Sequence, residues 1–324
     1  MSVKHVVLGT GAIGRAVMEE LLKRGESVRM VNRSGKMLEV PAGVEVIASD
    51  LYDPANVREV TRGAKVVYQA AQPNYNQWPE KFPLLQKSII DGLTGSNAKL
   101  VIVENLYMYG DTDGKSMTED TPYNAHTRKG RTRAEISRAA FSAHKEGRVK
   151  VTSARGGNFF GPWGTDSTMG ARAFYPLLHG KAAQLIGRTD LPHTHTYVND
   201  FGRALVILGE RVEADGQAWH VPNDQPMMTQ AELVRMFAEG AGVEPKMSSM
   251  GKFMMAIGGL FIPEAKESVE MMYEFDKPFI VDSSRFEKTF GMKATPMREA
   301  IRETVYWYKR SSPVDKNHME LEHG

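Results

Sequence analysis

The 324-residue sequence predicts an α/β fold, a Rossmann doubly wound parallel sheet with a smaller C-terminal α+β substrate domain. Two observations carry that expectation. Short runs rich in Val and Ile alternate with segments of helical apolar spacing through the first half of the chain, and a glycine loop stands between the first run and the first helix. Residues 3–8 form the first strand. Residues 12–24 repeat apolar side chains at helical spacing, and Gly25 follows where a helix end favours glycine. Residues 28–32, 44–48, 65–70 and 99–103 are the next strands, separated by segments able to form helices. A loop rich in Tyr, Asp and Gly then leads to a helix over 126–146 and a sixth strand over 149–154.

Beyond Gly161 the pattern loosens into shorter elements and Met-rich segments at 247–255 and 271–272. The expected division is a nucleotide-binding domain over 1–175, with 197–222 returning to it, and a substrate domain over 176–196 and 223–310. The polar, aperiodic tail 311–324 is expected to be disordered.

Composition narrows the partners. Hydrophobic residues at 41% and charged residues at 25% are ordinary globular usage, and 41 basic against 39 acidic residues leave a net charge of +2. That balance announces neither nucleic acid nor an anionic membrane surface, so a small-molecule substrate is the expected partner. The chain has no cysteine, which removes disulfides, thiolate metal sites and cysteine nucleophiles, and which fits a reducing compartment. No basic and then apolar leader precedes the first strand, so a cytoplasmic location is expected. The longest apolar stretch, 253–262, is about half of the ~20 residues that a spanning helix needs. It is read as core, lid or subunit contact, the last of these compatible with a homodimer.

The glycine loop is Gly9, Thr10, Gly11, Ala12, Ile13 and Gly14. In a strand-to-helix turn the first glycine permits the tight bend, the second lets a pyrophosphate approach the backbone, and the third allows close packing of the helix. The phosphates then rest on the helix N-terminus. An NAD-selective site places a carboxylate about 20 positions further on, at the ribose 2′-hydroxyl. Here that place holds Asn32, Arg33, Ser34 and Lys36, a set that suits a 2′-phosphate and therefore NADP(H). The alternative is a solvated basic turn.

Together with this loop, Ser49-Asp50-Leu51, Ala70-Ala71, Tyr107-Met108-Tyr109-Gly110, Thr118-Glu119-Asp120-Thr121-Pro122, the run from Arg155 to Pro162 and Tyr197-Val198-Asn199-Asp200 stand in order along the chain. Over about residues 3–310 the sequence resembles the extended and atypical short-chain dehydrogenase/reductases, in particular the NAD-dependent epimerase/dehydratase family. The resemblance implies that Asp50 and Leu51 contact the adenine, that Ala70, Ala71 and Gln72 line the cofactor, and that Gly156, Asn158 and Phe159 border the nicotinamide.

The same resemblance places a Ser or Thr, a Tyr and a Lys four residues after it at the reacting carbon, and this chain departs at all three. Alignment puts Asn105 at the hydroxyl position and Lys129 and Arg133 at the other two. Asn105 retains an amide donor for a carbonyl oxygen. Arg133, a fixed cation on the same helix face, would ready Lys129 to release its proton; Lys129 also serves as a cofactor contact. The alternative is a basic helix that binds ribose or faces solvent. Tyr109, Tyr107 and Tyr123 are other candidate donors, and Tyr75 lies on a loop within reach of a substrate. His193 and His195, alternating on an expected strand, point to one side; no third ligand follows at a telling spacing, so pocket lining, by His195 above all, or an ordinary structural role is preferred to a metal.

The function expected is NADP(H)-dependent oxidoreduction of a small carbonyl-type substrate through an altered triad. A nucleotide-binding redox sensor without turnover, or an interaction protein, is the alternative, and a sugar-nucleotide epimerase or dehydratase is the third.

Overall fold

β1 (His5–Leu8) lies inside a seven-stranded sheet whose every pairing is parallel. The structure, a computed structural model, describes residues 3–251 and 269–311. The sheet continues with β2 (Val28–Asn32), β3 (Val44–Ala48), β4 (Val66–Gln69), β5 (Lys99–Glu104), β6 (Lys150–Arg155) and, after the short strand β7 (Ala183–Ile186), β8 (Ala218–His220). Its order is β3-β2-β1-β4-β5-β6-β8, reversing direction between β1 and β4. An open sheet of this kind presents its ligand crevice at that switch point, outside the carboxyl ends of the strands.

Helices cover both faces. α1 (Ala12–Lys23) and α6 (Val198–Glu210) pack on one; α2 (Pro54–Val60), α3 (Trp78–Leu93) and α4 (Arg128–Lys145) pack on the other. The period-two geometry of a strand divides β1 between the two cores. Val6 and Leu8 join Val67, Leu100 and Ile102 beneath α3 and α4, whereas Val7 joins Val17, Leu21, Phe201 and Leu205 beneath α1 and α6. These chains are fully buried, and each contributes on the order of 1.5–3 kcal/mol by leaving water.

α5 (Ala171–Leu178), α7 (Gln230–Ala241) and the C-terminal helix Met297–Arg310 share a third core around Phe174, Phe237 and Tyr308, next to a two-stranded parallel sheet of β7 and β9 (Met247–Met250). Helix Tyr273–Asp276 follows the residues not described, and Ser284–Phe290 packs by Phe286 and Phe290 on Trp219. Among the described residues no helix is long and apolar enough to cross a membrane. The apolar stretch 253–262 and the tail from 312 onward lie outside the described residues.

One expected element is absent. His193 and His195 do not sit on a regular strand: Pro192 and His193 make isolated bridges to Thr229 and Phe279, and Pro192 has no N–H to give a ladder.

Candidate functional site

The glycine loop is built by contacts that exclude side chains at two positions and leave one open. Gly9 has φ +109°, and a Cβ there would lie 2.7 Å from the Ala71 backbone nitrogen; a Cβ on Gly14 would lie 2.1 Å from the Gly9 carbonyl oxygen. At Gly11, the N-cap of α1, an added Cβ would meet nothing within 4 Å beyond its chain neighbours, and no side chain caps the helix, among the described residues. Open space in front of uncapped N–H groups fits a pyrophosphate.

The loop is held by its neighbours. Thr10 Oγ1 accepts from Asn32 Nδ2 at 3.0 Å, and the Thr10 carbonyl accepts from Arg15 Nε at 3.1 Å. Arg15 also donates to the Leu38 carbonyl, and its guanidinium lies 3.9 Å from the Trp163 ring centre. Arg15 follows Gly14 directly, yet nothing in its spacing marked it as the brace of this loop. Asn32 Oδ1 accepts from Gly35 N at 2.7 Å and its amide donates to the Lys36 carbonyl, so Asn32 shapes the basic turn from within. Arg33 and Lys36 are exposed, and Ser34 Oγ accepts from Lys36 N. Arg33, Ser49 and Asp50 line a cavity of about 680 Å³ that runs along β3 and α2. Leu51 is buried in the core below it, and Asp50 accepts from Tyr52 N. Ala12 and Ile13 are half-buried in the first turn of α1; Ala70 and Ala71 are half-buried at the end of β4, with Gln72 exposed beyond them.

Past the ends of β4 and β5 a second group assembles. The Asn105 side-chain carbonyl accepts from Tyr107 N at 3.4 Å, and the Tyr75 hydroxyl donates to that of Tyr107 at 3.3 Å. Burial raises both phenols well above their ordinary range. Thr127 caps α4 by accepting from Gly130 N. Lys129, 1% exposed, places its ammonium 4.4 Å from the Tyr75 ring centre and 3.2 Å from Glu270 Oε1. Thus Lys129, Tyr75, Tyr107 and Asn105 form one neighbourhood. Glu270 had no such signal, since its partner lies 141 residues away.

Arg133 lies one turn further along α4, with its guanidinium 4.6 Å from the Trp78 ring centre and 4.5 Å from that of Phe82. Its Nε and Nη1 have no hydrogen-bond partner among the described residues, and burial pushes it down to about 10 despite the nearby Glu104 carboxylate. Lys129 turns toward Glu270 and Arg133 toward the aromatic rings of α3, although both lie on one helix face.

Tyr109 is committed elsewhere. Its hydroxyl is 2.8 Å from His220 Nε2 and accepts from Arg155 Nη1 at 2.8 Å. Arg155 donates to Glu104 at 2.9 Å and also bonds Tyr123 and Ser137. Every member of this network finds a partner, and burial pushes the Tyr109 phenol up to about 12.

At the end of β6, Gly156 and Gly157 bring the backbone against Thr196 and Phe279. Asn158, at φ +50°, sets its amide nitrogen 2.6 Å from His193 Nε2, and Phe159 packs edge-on to Phe201. The His193 and His195 rings are 5.0 Å apart, on one side as expected. Among the described residues no group of three potential metal ligands forms. Glu274 is 5% exposed, and burial pushes its carboxyl up to about 8.

The fold recurs in solved structures. The chain superposes on UDP-glucose 4-epimerase of Thermus thermophilus in complex with NAD over 95% of its length and 100% of that chain, at a TM-score of 0.76 and 20% identity. It superposes on dTDP-glucose 4,6-dehydratase of Bacillus anthracis in complex with NAD over 95% and 96%, at 0.78 and 15%. UDP-glucuronic acid 4-epimerase of Bacillus cereus, in complex with UDP-glucuronic acid and NAD, is matched over 94% and 99%, at 0.76 and 15%. No curated protein matches the sequence. The model of the NAD dependent epimerase/dehydratase family matches residues 6–221, from β1 through β8, and the chain belongs to that family.

Proposed function

We propose that the protein is an NADP(H)-dependent oxidoreductase interconverting a carbonyl and a hydroxyl group on a small oxygenated substrate. The observation that carries this reading is the meeting of Asn105, Tyr75, Tyr107 and Lys129 at the carboxyl edge of the sheet that also bears the open helix start at Gly11. Gly9 to Gly14 would hold the pyrophosphate, Ala70, Ala71, Gly156, Asn158 and Phe159 would line the remainder, and Arg33 would pair with a 2′-phosphate. The bound dinucleotide supplies the hydride. The Asn105 amide would donate to the substrate oxygen, and Lys129 Nζ would give the proton. Lys129 is favoured over Tyr75 and Tyr107 because burial makes those phenols hold their protons tightly. His195 would contact the substrate.

A second reading, a sugar-nucleotide epimerase using NAD, is favoured by the structural neighbours, which carry NAD and, in one case, UDP-glucuronic acid, and which match 94–95% of the chain. The readings separate by net redox change. NADPH oxidation by aldehydes, ketones or enones supports the first. Isomerisation of UDP-glucose or UDP-glucuronic acid without net absorbance change supports the second, and NADPH binding with neither outcome supports a sensor. Arg33→Ala should abolish preference for NADP over NAD. Lys129→Ala should retain NADPH binding and lose turnover; an unchanged rate removes Lys129 as the donor.

A further inference from the structure

His195 is 4% exposed, and neither of its ring nitrogens has a hydrogen-bond partner among the described residues. The Asn158 backbone lies close enough to favour its charged form, but without hydrogen-bond geometry. A neutral imidazole carries one donor and one acceptor, and leaving either buried and unmatched costs about 1–3 kcal/mol. Native structures keep such orphans where a ligand, ion or water completes them.

The surroundings favour a ligand. His193, 2% exposed, is stacked between Phe275 and Phe279 at ring distances of 5.1 and 5.0 Å, and its Nε2 meets the Asn158 amide. Asn158 holds a left-handed backbone, which asparagine adopts more readily than most residues. The segment is fixed to the turn after β6 by Gly157 N donating to Thr196 Oγ1 and Thr196 N donating to the Gly157 carbonyl. This is the ligand edge of the sheet.

We infer that His193, His195 and the Asn158 amide form an uncharged polar subsite that hydrogen-bonds a hydroxyl or carbonyl group on a neutral part of the substrate, such as a sugar ring. The inference rests on the proposed site taking an oxygenated small molecule. Burial keeps His193 far below its ordinary range and His195 at about 4, so the pair brings no cation to an anionic group.

The test uses the full chain labelled with 15N-histidine and saturated with NADPH. D-glucose, glycerol and acetone are the neutral probes and inorganic phosphate the anionic one; the His195 signals are assigned from their loss in His195→Leu. The neutral probes should shift the His193 and His195 nitrogens, and phosphate at equal concentration should not. His195→Leu, which fills the same space without polar atoms, should weaken the response at His193 at least ~10-fold, the loss of one or two hydrogen bonds. Silence of both histidines toward every neutral probe, with NADPH bound, overturns the subsite and spares the cofactor reading; so does a shift caused by phosphate. A raised Tm in His195→Leu with the His193 response intact shows an orphan core histidine only. Failure to bind NADPH overturns the functional reading itself.

Discussion

The Glu270 carboxylate stands over the start of α4 with one oxygen 3.2 Å from Lys129 Nζ and 3.3 Å from Lys129 N, while its other oxygen accepts from Arg128 N at 2.8 Å. A carboxylate at a helix N-terminus is favoured by the dipole as well as by the ammonium. The contact also holds Lys129 in place beside Tyr75.

Glu270→Gln separates position from charge. The amide oxygen can accept from only one of the Arg128 and Lys129 backbone N–H groups, because they donate to different oxygens of Glu270, and the amide NH2 then faces the other donor, so unfolding free energy should fall by about 1–3 kcal/mol. Lys129→Met leaves Glu270 without its cation and should cost about 1–3 kcal/mol while lowering turnover at least ~100-fold, as loss of a general acid does. Urea titration and steady-state rates check both. Equal loss of rate in the two variants would place the Glu270 charge in the chemical step.

The glycine loop predicts opposite outcomes at neighbouring glycines. Gly11 has φ −71° and open space around it, so Gly11→Ala should keep its Tm within a few degrees while its methyl group meets the phosphates and weakens NADPH binding at least ~10-fold. Gly14→Ala must push a Cβ against the Gly9 carbonyl and should lose about 1–3 kcal/mol of stability as well. Fluorescence titration with NADPH and thermal melts distinguish the two. A stable Gly11→Ala that binds NADPH as tightly as the parent would remove the pyrophosphate from this loop.

What could be read from the sequence follows from the range of each interaction. The strands Val28–Asn32 and Val44–Ala48 lie where Val and Ile runs placed them, and α1 begins at Ala12, because these features are set by neighbours a few residues apart. Asn105 and Lys129 stand out on local motifs alone, and the structure places Lys129 beside Tyr75 and Asn105 beside Tyr107. Pairings across the chain were not legible. Tyr109 carries a motif that suggests a donor, yet a network reaching Arg155 and His220 absorbs its hydroxyl. Glu270 and Glu274 come from a segment with no helical or strand period, and only tertiary packing brings them to α4 and to the tyrosines. Arg133 shares a helix face with Lys129, but the rings of Trp78 and Phe82 decide where it points.

Buried titrating groups give stability a maximum near neutrality. Burial pushes His195 down to about 4 and His220 to about 3, and holds His193 well below 6.5. Their folded values lie below the unfolded one, so the unfolded chain binds more protons and stability is lost as pH falls through 6.5. For His195 the loss continues to about pH 4 and is on the order of 3 kcal/mol. Glu274 acts in the opposite sense. Its folded value near 8 lies above the unfolded 4.5, so its contribution is complete below 4.5 and declines as pH rises to about 8. Between 4.5 and 6.5 these three histidines, joined by His5 shifted the same way, outweigh Glu274, and above 6.5 the histidines no longer titrate while Glu274 still loses its proton, which puts the maximum near pH 6.5. Denaturant titrations from pH 4 to 9 should trace that maximum. Glu274→Gln should flatten the alkaline side and His195→Leu should soften the acid side; a profile unchanged by both would show that these groups titrate as they do in water.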